Sequence, residues 1–234
     1  MNTAIIVAAG SGERFRSETP KQFLELNGKT VIEWTIERIS SAPSIDSIVL
    51  VLSPDRIDEW EERRPDFPKI DSIVAGGASR AESVLNGLNA VSEHSEIAAV
   101  HDGARPLVSV DEIERVIARA KETGAACLVA PVTDTIKSIR GEAIAATLDR
   151  NLLRRALTPQ AFNVKVLKRA FELADLDETV TDDCYLVEKL GHPVAAVEGS
   201  SVNIKITHRE DLVLAEALMR NGTLRNNWKL KAEN

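Results

Sequence analysis

Three stretches of this 234-residue chain carry residue types and spacings suited to phosphate chemistry. The first is Gly10-Ser11-Gly12-Glu13-Arg14, which runs on to Pro20-Lys21-Gln22-Phe23. Glycines let a loop take positive φ and let backbone N–H groups come close to a ligand. Arg14 and Lys21 add two cations beside that loop, so the stretch reads as a seat for a polyphosphate. The second, Gly76-Gly77-Ala78-Ser79-Arg80-Ala81-Glu82-Ser83, sets two glycines before a helix start, where N–H groups face an anion. Arg80 and Ser83 add side-chain donors there. The third, His101-Asp102-Gly103-Ala104-Arg105-Pro106, places a carboxylate just beyond a core strand. Such a carboxylate suits Mg2+, which is commonly held by one or two carboxylates plus phosphate oxygens. Arg105, three residues on, is within reach of a second substrate.

The spacings depart from two well-known phosphate motifs. A P-loop has four residues between its glycines, followed by Lys and Ser or Thr; here the glycines are two apart and Lys21 follows nine residues after Gly12. A dinucleotide fingerprint needs a third glycine where this chain has Phe15. On spacing alone the first stretch is equally an ordinary strand-to-helix turn with surface cations, and the second a glycine-rich turn with a capping serine. His101 reads as a packing or orienting group. With no His-Glu-x-x-His pattern, zinc is not expected.

The elements that must position these stretches follow from periodicity. Ala4 to Ala9 is a continuous apolar run, as expected of a strand buried on both faces. Further apolar runs cover Ile48–Leu52, Ile70–Ala75, Ile97–Val100, Ala125–Val129 and Val194–Val197. Between them, Thr30/Glu33, Ser79/Glu82, Ser109/Glu112 and Thr207/Glu210 have the spacing of helix capping boxes. Strands alternating with helices predict an α/β fold, a Rossmann-like, mostly parallel sheet with helices on both faces. Ligands of such sheets bind beyond the strand C-terminal ends, which singles out the loops after Ala9, Ala75, Val100 and Ala130. After Ala130 the alternation breaks. Residues 133–150 read as strand, glycine turn, strand: a β-hairpin arm whose apolar Ile136, Ile139, Ile144 and Leu148 need covering, by the parent domain or by a partner subunit. Val180-Thr181-Asp182-Asp183 opens another helix, its aspartates read mainly as structural, with a supporting role behind the site as the alternative. The tail after Gly222 is polar and expected to fray.

Length and a 44% hydrophobic content suit one domain over residues 1–234. The net charge of −7 speaks against nucleic acid, so an anionic ligand must be held by a local cluster of cations. There is no apolar run of about 18 residues for a membrane span and no signal-peptide pattern, so a cytoplasmic protein is expected. Cys127 and Cys184 are too few and too far apart for a disulfide framework and read as small buried apolar residues.

AAGSGERF followed by PKQFL resembles the nucleotide signature of the sugar-nucleotide-type nucleotidyltransferases. HDGARP, TPQ at Thr158–Gln160 and NIKIT at Asn203–Thr207 follow in order, so the resemblance spans Ala4 to about Leu218. It is most similar to the cytidylyltransferases acting on 2-C-methyl-D-erythritol 4-phosphate, or on ribitol 5-phosphate, and HDGARP leans towards the former, an enzyme of non-mevalonate isoprenoid synthesis. The resemblance implies CTP contacts at Ala8, Ala9, Gly10, Ser11, Gly12, Gly77, Arg80 and Ser83, with Ser83 and the backbone near Ala8 and Gly77 reading cytosine. It implies catalytic roles for Arg14, Lys21, Arg150 and Lys205, and acceptor binding by Arg105, Thr133, Arg150, Thr158 and Lys205. Asp102 would hold Mg2+, or Mn2+ in its place. Some relatives have a further Asp where this chain has Val202, so no second metal carboxylate is assigned there. The family uses its arm in a homodimer, which implies the same for residues 133–150.

The implied reaction joins CTP to a sugar-alcohol phosphate and releases pyrophosphate. A phosphate monoester is largely dianionic near neutral pH. Its oxygen is already a nucleophile, which accounts for motifs rich in cations and without an obvious base. A nucleotide-binding regulator with no turnover would be expected to lack one of these charged groups, and Arg14, Lys21, Asp102 and Lys205 are all present.

Overall fold

The computed structural model describes residues 1–10, 20–63, 66–176 and 179–220. In order the elements are β1 (Asn2–Ala8), β2 (Glu25–Leu26), β3 (Lys29–Thr30), α1 (Val31–Ser40), β4 (Ser47–Leu52), α2 (Ile57–Arg63), β5 (Ile70–Ala75), α3 (Arg80–Asn89), β6 (Ile97–Asp102), α4 (Val110–Thr123), β7 (Ala125–Pro131), β8 (Lys137–Arg140), β9 (Ala143–Thr147), β10 (Arg154–Asn163), α5 (Val164–Leu173), α6 (Asp183–Lys189), β11 (Ala195–Glu198) and α7 (Arg209–Arg220).

Seven strands form one sheet in the order β11-β7-β10-β6-β1-β4-β5. The apolar run of β1 lies at its centre, with Ala4, Ile5 and Ile6 fully buried. It pairs in parallel with β4 and β6, and β4 with β5. The register sets Ala8 beside Leu52, Leu52 beside Ala75, and Val7 beside Asp102. The chain therefore leaves four strands, β1, β4, β5 and β6, level with one another at one edge. β11 runs parallel to β7, but β10 is antiparallel to both β6 and β7. That reversal brings the start of β10 to the edge where its neighbours end.

Helices cover both faces, as expected of a Rossmann-like fold. Ile32, Ile36 and Ile39 of α1 and Ile113, Val116 and Ile117 of α4 pack on one face. Val84 and Leu88 of α3, Leu167 and Phe171 of α5, and Leu186 and Val187 of α6 pack on the other. Cys127 and Cys184 are buried free thiols of this second layer. Among the described residues no helix is long and apolar enough to cross a membrane.

Two boundaries shift. β6 runs on to Asp102 and β7 to Pro131, so Asp102 is the last residue of a buried strand and not the second residue of a loop. The boxes at Thr30/Glu33 and Ser109/Glu112 form as expected. At Ser79 only half the box forms: its hydroxyl accepts from the Glu82 N–H, while Glu82 Oε2 takes the Ala78 N–H at 2.7 Å. Thr207/Glu210 is corrected. α7 starts at Arg209, and Asp211 Oδ2 accepts the N–H groups of both Thr207 and His208 at 2.8 Å. His208 precedes the first helical residue, so the carboxylate that reaches back comes one residue later than Glu210.

The arm is present as β8 and β9, a ribbon separate from the main sheet, turning at Gly141 with φ +60. Its own chain leaves its apolar side uncovered: Ile139 is 60% and Ile144 64% exposed.

Glu112 illustrates how the frame is fastened. Its Oε2 accepts from the Ser109 N–H at 2.8 Å, and its Oε1 from the Ser200 N–H at 2.6 Å, tying α4 to the segment after β11. Glu112→Ala removes a cap and leaves two part-buried N–H groups without acceptors. It should cost about 2–3 kcal/mol. Urea unfolding at pH 7 measures this, and a loss under about 0.5 kcal/mol, the scale of an ordinary surface change, would show that the tie contributes nothing.

Candidate active site

The described ends of the first stretch, Gly10 and Pro20–Phe23, meet the second and third stretches at the C-terminal edge of β1, β5 and β6. Two glycines permit the contact. A Cβ on Gly76 would stand 2.2 Å from Ala9 Cβ, and one on Gly103 would stand 2.8 Å from Ala8 Cβ. The second and third loops thus press directly on the end of β1. Backbone bonds continue the strands across these junctions, Gly76 N–H to the Leu52 carbonyl at 2.7 Å and Gly103 N–H to the Val7 carbonyl at 2.8 Å.

The first loop is anchored by a residue given no role from sequence. Gln22, 2% exposed, donates from Nε2 to the Ala8 carbonyl at 2.7 Å and to the Gly10 carbonyl at 3.0 Å. One amide therefore fixes where the loop leaves β1, and it sits beside Lys21 in the same short 3-10 turn, Lys21–Phe23. The signal was its place inside PKQFL. Ser11, Gly12 and Arg14 lie outside the described residues.

In the second loop the Ser83 hydroxyl donates to the Ser79 carbonyl at 2.9 Å and accepts the Gly77 N–H at 3.1 Å. Its proton is committed to the fold, and one lone pair is left for a ligand donor.

Asp102 is the hub. Its Oδ1 accepts from Arg80 Nε at 3.2 Å; its Oδ2 accepts from Arg105 Nε at 3.3 Å and faces Lys205 Nζ at 3.0 Å. Burial alone would raise this carboxyl's pKa, but Arg80, Lys205 and Arg105 together hold it well below the usual carboxylate range. The cations are fixed in turn. Arg105 Nη1 donates to the Asn203 carbonyl at 2.8 Å, and Asn203 Nδ2, fully buried, donates to the Thr158 carbonyl at 2.9 Å. The NIKIT stretch is thereby sewn to HDGARP and TPQ.

Thr158 and His101 support Asp102 from below. Thr158 Oγ1 accepts the Asp102 N–H at 3.1 Å and lies 3.0 Å from His101 Nδ1; His101 Nε2 lies 3.1 Å from the Arg105 carbonyl. This network sets a neutral imidazole that donates from Nε2 and accepts at Nδ1. The Thr158 hydroxyl thus gives its proton to His101 and keeps one lone pair, and His101 orients as expected.

One further residue stands behind the site, the alternative that the sequence left open. Asp183, read from sequence as mainly structural, accepts from Arg80 Nη2 at 2.9 Å and is fully buried. Burial raises its pKa, opposed by Arg80. Gln160 explains its placement: Oε1 accepts the N–H groups of Asp183 and Cys184 at 3.1 Å each, while Nε2 donates to Asp182 at 2.9 Å. Nothing local signals a pairing across 103 residues. Arg150 and Thr133 meet at the base of the arm, where Arg150 Nη1 donates to the Thr133 backbone carbonyl at 2.7 Å. Both are exposed, and among the described residues neither bonds to the Asp102 cluster.

No group of three or more His, Cys, Asp or Glu side chains among the described residues could cage a metal ion. A divalent cation at Asp102 would have to bring most of its oxygen ligands with it, as one carried on a polyphosphate does.

Loops converging in this way at the strand ends of an open α/β sheet fit a nucleotide site, and the matching family model puts the chain among the nucleotidyltransferases. More narrowly, it belongs to the 2-C-methyl-D-erythritol 4-phosphate cytidylyltransferase family, whose model matches residues 2–221. A curated relative of that name from Syntrophus aciditrophicus is 43% identical over 222 residues, covering 93% of this chain and 95% of the relative. Among solved structures, the 4-diphosphocytidyl-2C-methyl-D-erythritol synthase from Anaerococcus prevotii superposes with a TM-score of 0.83 at 31% identity, covering 94% of this chain and 96% of the other. The 2-C-methyl-D-erythritol 4-phosphate cytidylyltransferase from Thermus thermophilus gives 0.74 at 37% identity, covering 93% and 98%.

Burial pushes the His101 imidazole down to about 4, outweighing the Arg105 carbonyl and the Asp102 charge. Below about pH 6.5 the unfolded chain takes up a proton at His101, while the folded chain stays neutral until about pH 4. The contribution is complete above that window and is lost as pH falls through it. Between pH 7 and pH 5 the loss from this residue should be about 2 kcal/mol. Urea midpoints at the two pH values measure it, and His101→Gln should flatten the difference by that amount. An unchanged difference in the variant would show that the imidazole titrates normally.

Proposed function

We propose that this enzyme transfers a cytidylyl group from CTP to 2-C-methyl-D-erythritol 4-phosphate, giving 4-diphosphocytidyl-2-C-methyl-D-erythritol and pyrophosphate. The observation that carries the reading is the buried Asp102 clasped by Arg80, Arg105 and Lys205 beside two glycine loops. Family membership favours this acceptor over ribitol 5-phosphate, and favours turnover over a regulatory role.

In the reaction an acceptor phosphate oxygen attacks the α-phosphorus of CTP. A P–O bond forms there, the bond to the β-phosphate oxygen breaks, and the electron pair leaves with pyrophosphate. Neutral His101 is committed on both nitrogens, in keeping with a step that needs no general base. Mg2+, or Mn2+, would be held by Asp102 and would neutralise charge on the triphosphate. Arg14 and Lys21 stabilise charge at the α-phosphate and leaving group. Arg105 and Lys205, already gathered on Asp102, offer their remaining donors to phosphate oxygens. Gly10, Gly77 and Ser83 line the nucleotide. The protein contributes position and fixed charge. A single domain, acting in the cytoplasm, completes the reading.

Pyrophosphate release from CTP, strictly dependent on the acceptor, is the direct test. Lys21→Ala should lower turnover on the order of 100- to 1,000-fold, since its charge matters most in the transition state. Release at equal rates from UTP, or a Lys21→Ala variant changed only in its Michaelis constant for CTP, would count against the assignment.

The exposed Ile139 and Ile144 support a homodimer through the 133–150 arm, with Arg150 and Thr133 completing the neighbour's site. Lys21→Ala damages the body of a site and Arg150→Glu the arm. Mixing the two inactive homodimers should restore on the order of a quarter of wild-type activity, because about half the dimers are mixed and each holds one intact site. Flat activity after confirmed subunit exchange would place Arg150 in its own chain's site.

A further inference from the structure

Arg80 joins two carboxylates from distant parts of the chain. Its Nε donates to Asp102 Oδ1 at 3.2 Å and its Nη2 to Asp183 Oδ2 at 2.9 Å. The two acids differ in setting. Asp102 lies at the sheet edge and also holds Arg105 and Lys205. Asp183 sits in the first turn of α6, fully buried and fixed to β10 through Gln160. Its Oδ1 is buried with no hydrogen-bond partner among the described residues. A buried carboxylate with an unfilled acceptor is costly to a fold that needs only packing at that point.

We propose that Asp183 is the positioning residue of Arg80, holding its guanidinium towards the nucleotide when Asp102 is taken up by the substrate complex. This rests on the reading of the cleft as a CTP site. Asp102 is shared among three cations and is the group an incoming metal–nucleotide complex engages. A guanidinium carries five N–H donors in a planar fork. Only Nε and Nη2 are bonded here among the described residues, which leaves Nη1 for phosphate oxygens. When Asp102 is withdrawn, the unfilled Oδ1 of Asp183 is the acceptor at hand for a second N–H of the same fork. A bidentate pair then replaces the bridge, and Arg80 keeps its aim without re-ordering a long side chain.

The test is a calorimetric CTP titration, with Mg2+, of the wild-type protein, Asp183→Asn, Arg80→Gln and the double variant, with steady-state kinetics alongside. Asp183→Asn keeps size and an acceptor but removes the charge. CTP affinity should fall roughly tenfold, the scale of weakening one charge-assisted contact, and the Michaelis constant for CTP should change more than turnover does. In the Arg80→Gln background the same substitution should add less than about twofold, because Asp183 acts through Arg80. Wild-type CTP affinity in a folded Asp183→Asn protein overturns the proposal. So does full additivity in the double variant, the result of a merely structural role. If Asp183→Asn does not fold, Arg80→Lys carries the test, since one ammonium cannot span both carboxylates. CTP binding should then fall by a similar factor, and unchanged binding overturns the proposal. A wild-type protein that binds no CTP overturns the parent reading, and is distinguished because that appears before any variant is compared.

Discussion

One buried negative charge organises this molecule. Asp102 ends a central strand, where ionisation is tolerated only if cations come to meet it. They come from the start of α3, from the turn after β6 and from the stretch before α7. The carboxylate thereby fixes the mutual placement of segments that share no secondary structure. It also keeps a surplus of positive charge in one cleft of a protein whose net charge is −7. Cations held this way are ordered before any substrate arrives, so little reorganisation remains for the moment of reaction.

Closeness of backbone is the second constraint, and it is steric. Gly76 and Gly103 allow two loops to touch Ala9 and Ala8, where any side chain would hold them away. Gln22 completes the junction by bonding carbonyls on either side of it. The floor of the cleft is thus built of main chain and one amide, and the charged groups stand around it. Shape and charge come from different residues, so they can fail independently.

Much of this is legible in the sequence because the signals are local. The apolar runs of β1, β4 and β5 and the boxes at Thr30 and Ser109 fall where periodicity puts them. The second and third glycine–cation stretches come together at the strand C-termini, the edge where ligands of such sheets gather. What escapes is pairing across the chain. Asp183 looks like a helix-start acid, and only the folded register of β10, through Gln160, carries it to Arg80. Thr158, singled out through TPQ for the acceptor, also braces Asp102 and His101 with its hydroxyl, a tie that only the fold reveals. At Thr207 the pattern was real but one residue out, because Asp211 reaches back in place of Glu210.

The reversed direction of β10 has a consequence for the arm. Pro131 at the end of β7 stands opposite Arg154 at the start of β10. The arm therefore leaves and rejoins the body at neighbouring points, as a detour between two strands already paired. Its length and surface can vary without changing any register in the seven-stranded sheet. Folding of the body and choice of companion are then written in separable parts of one chain, and a lineage can alter the second without reopening the first.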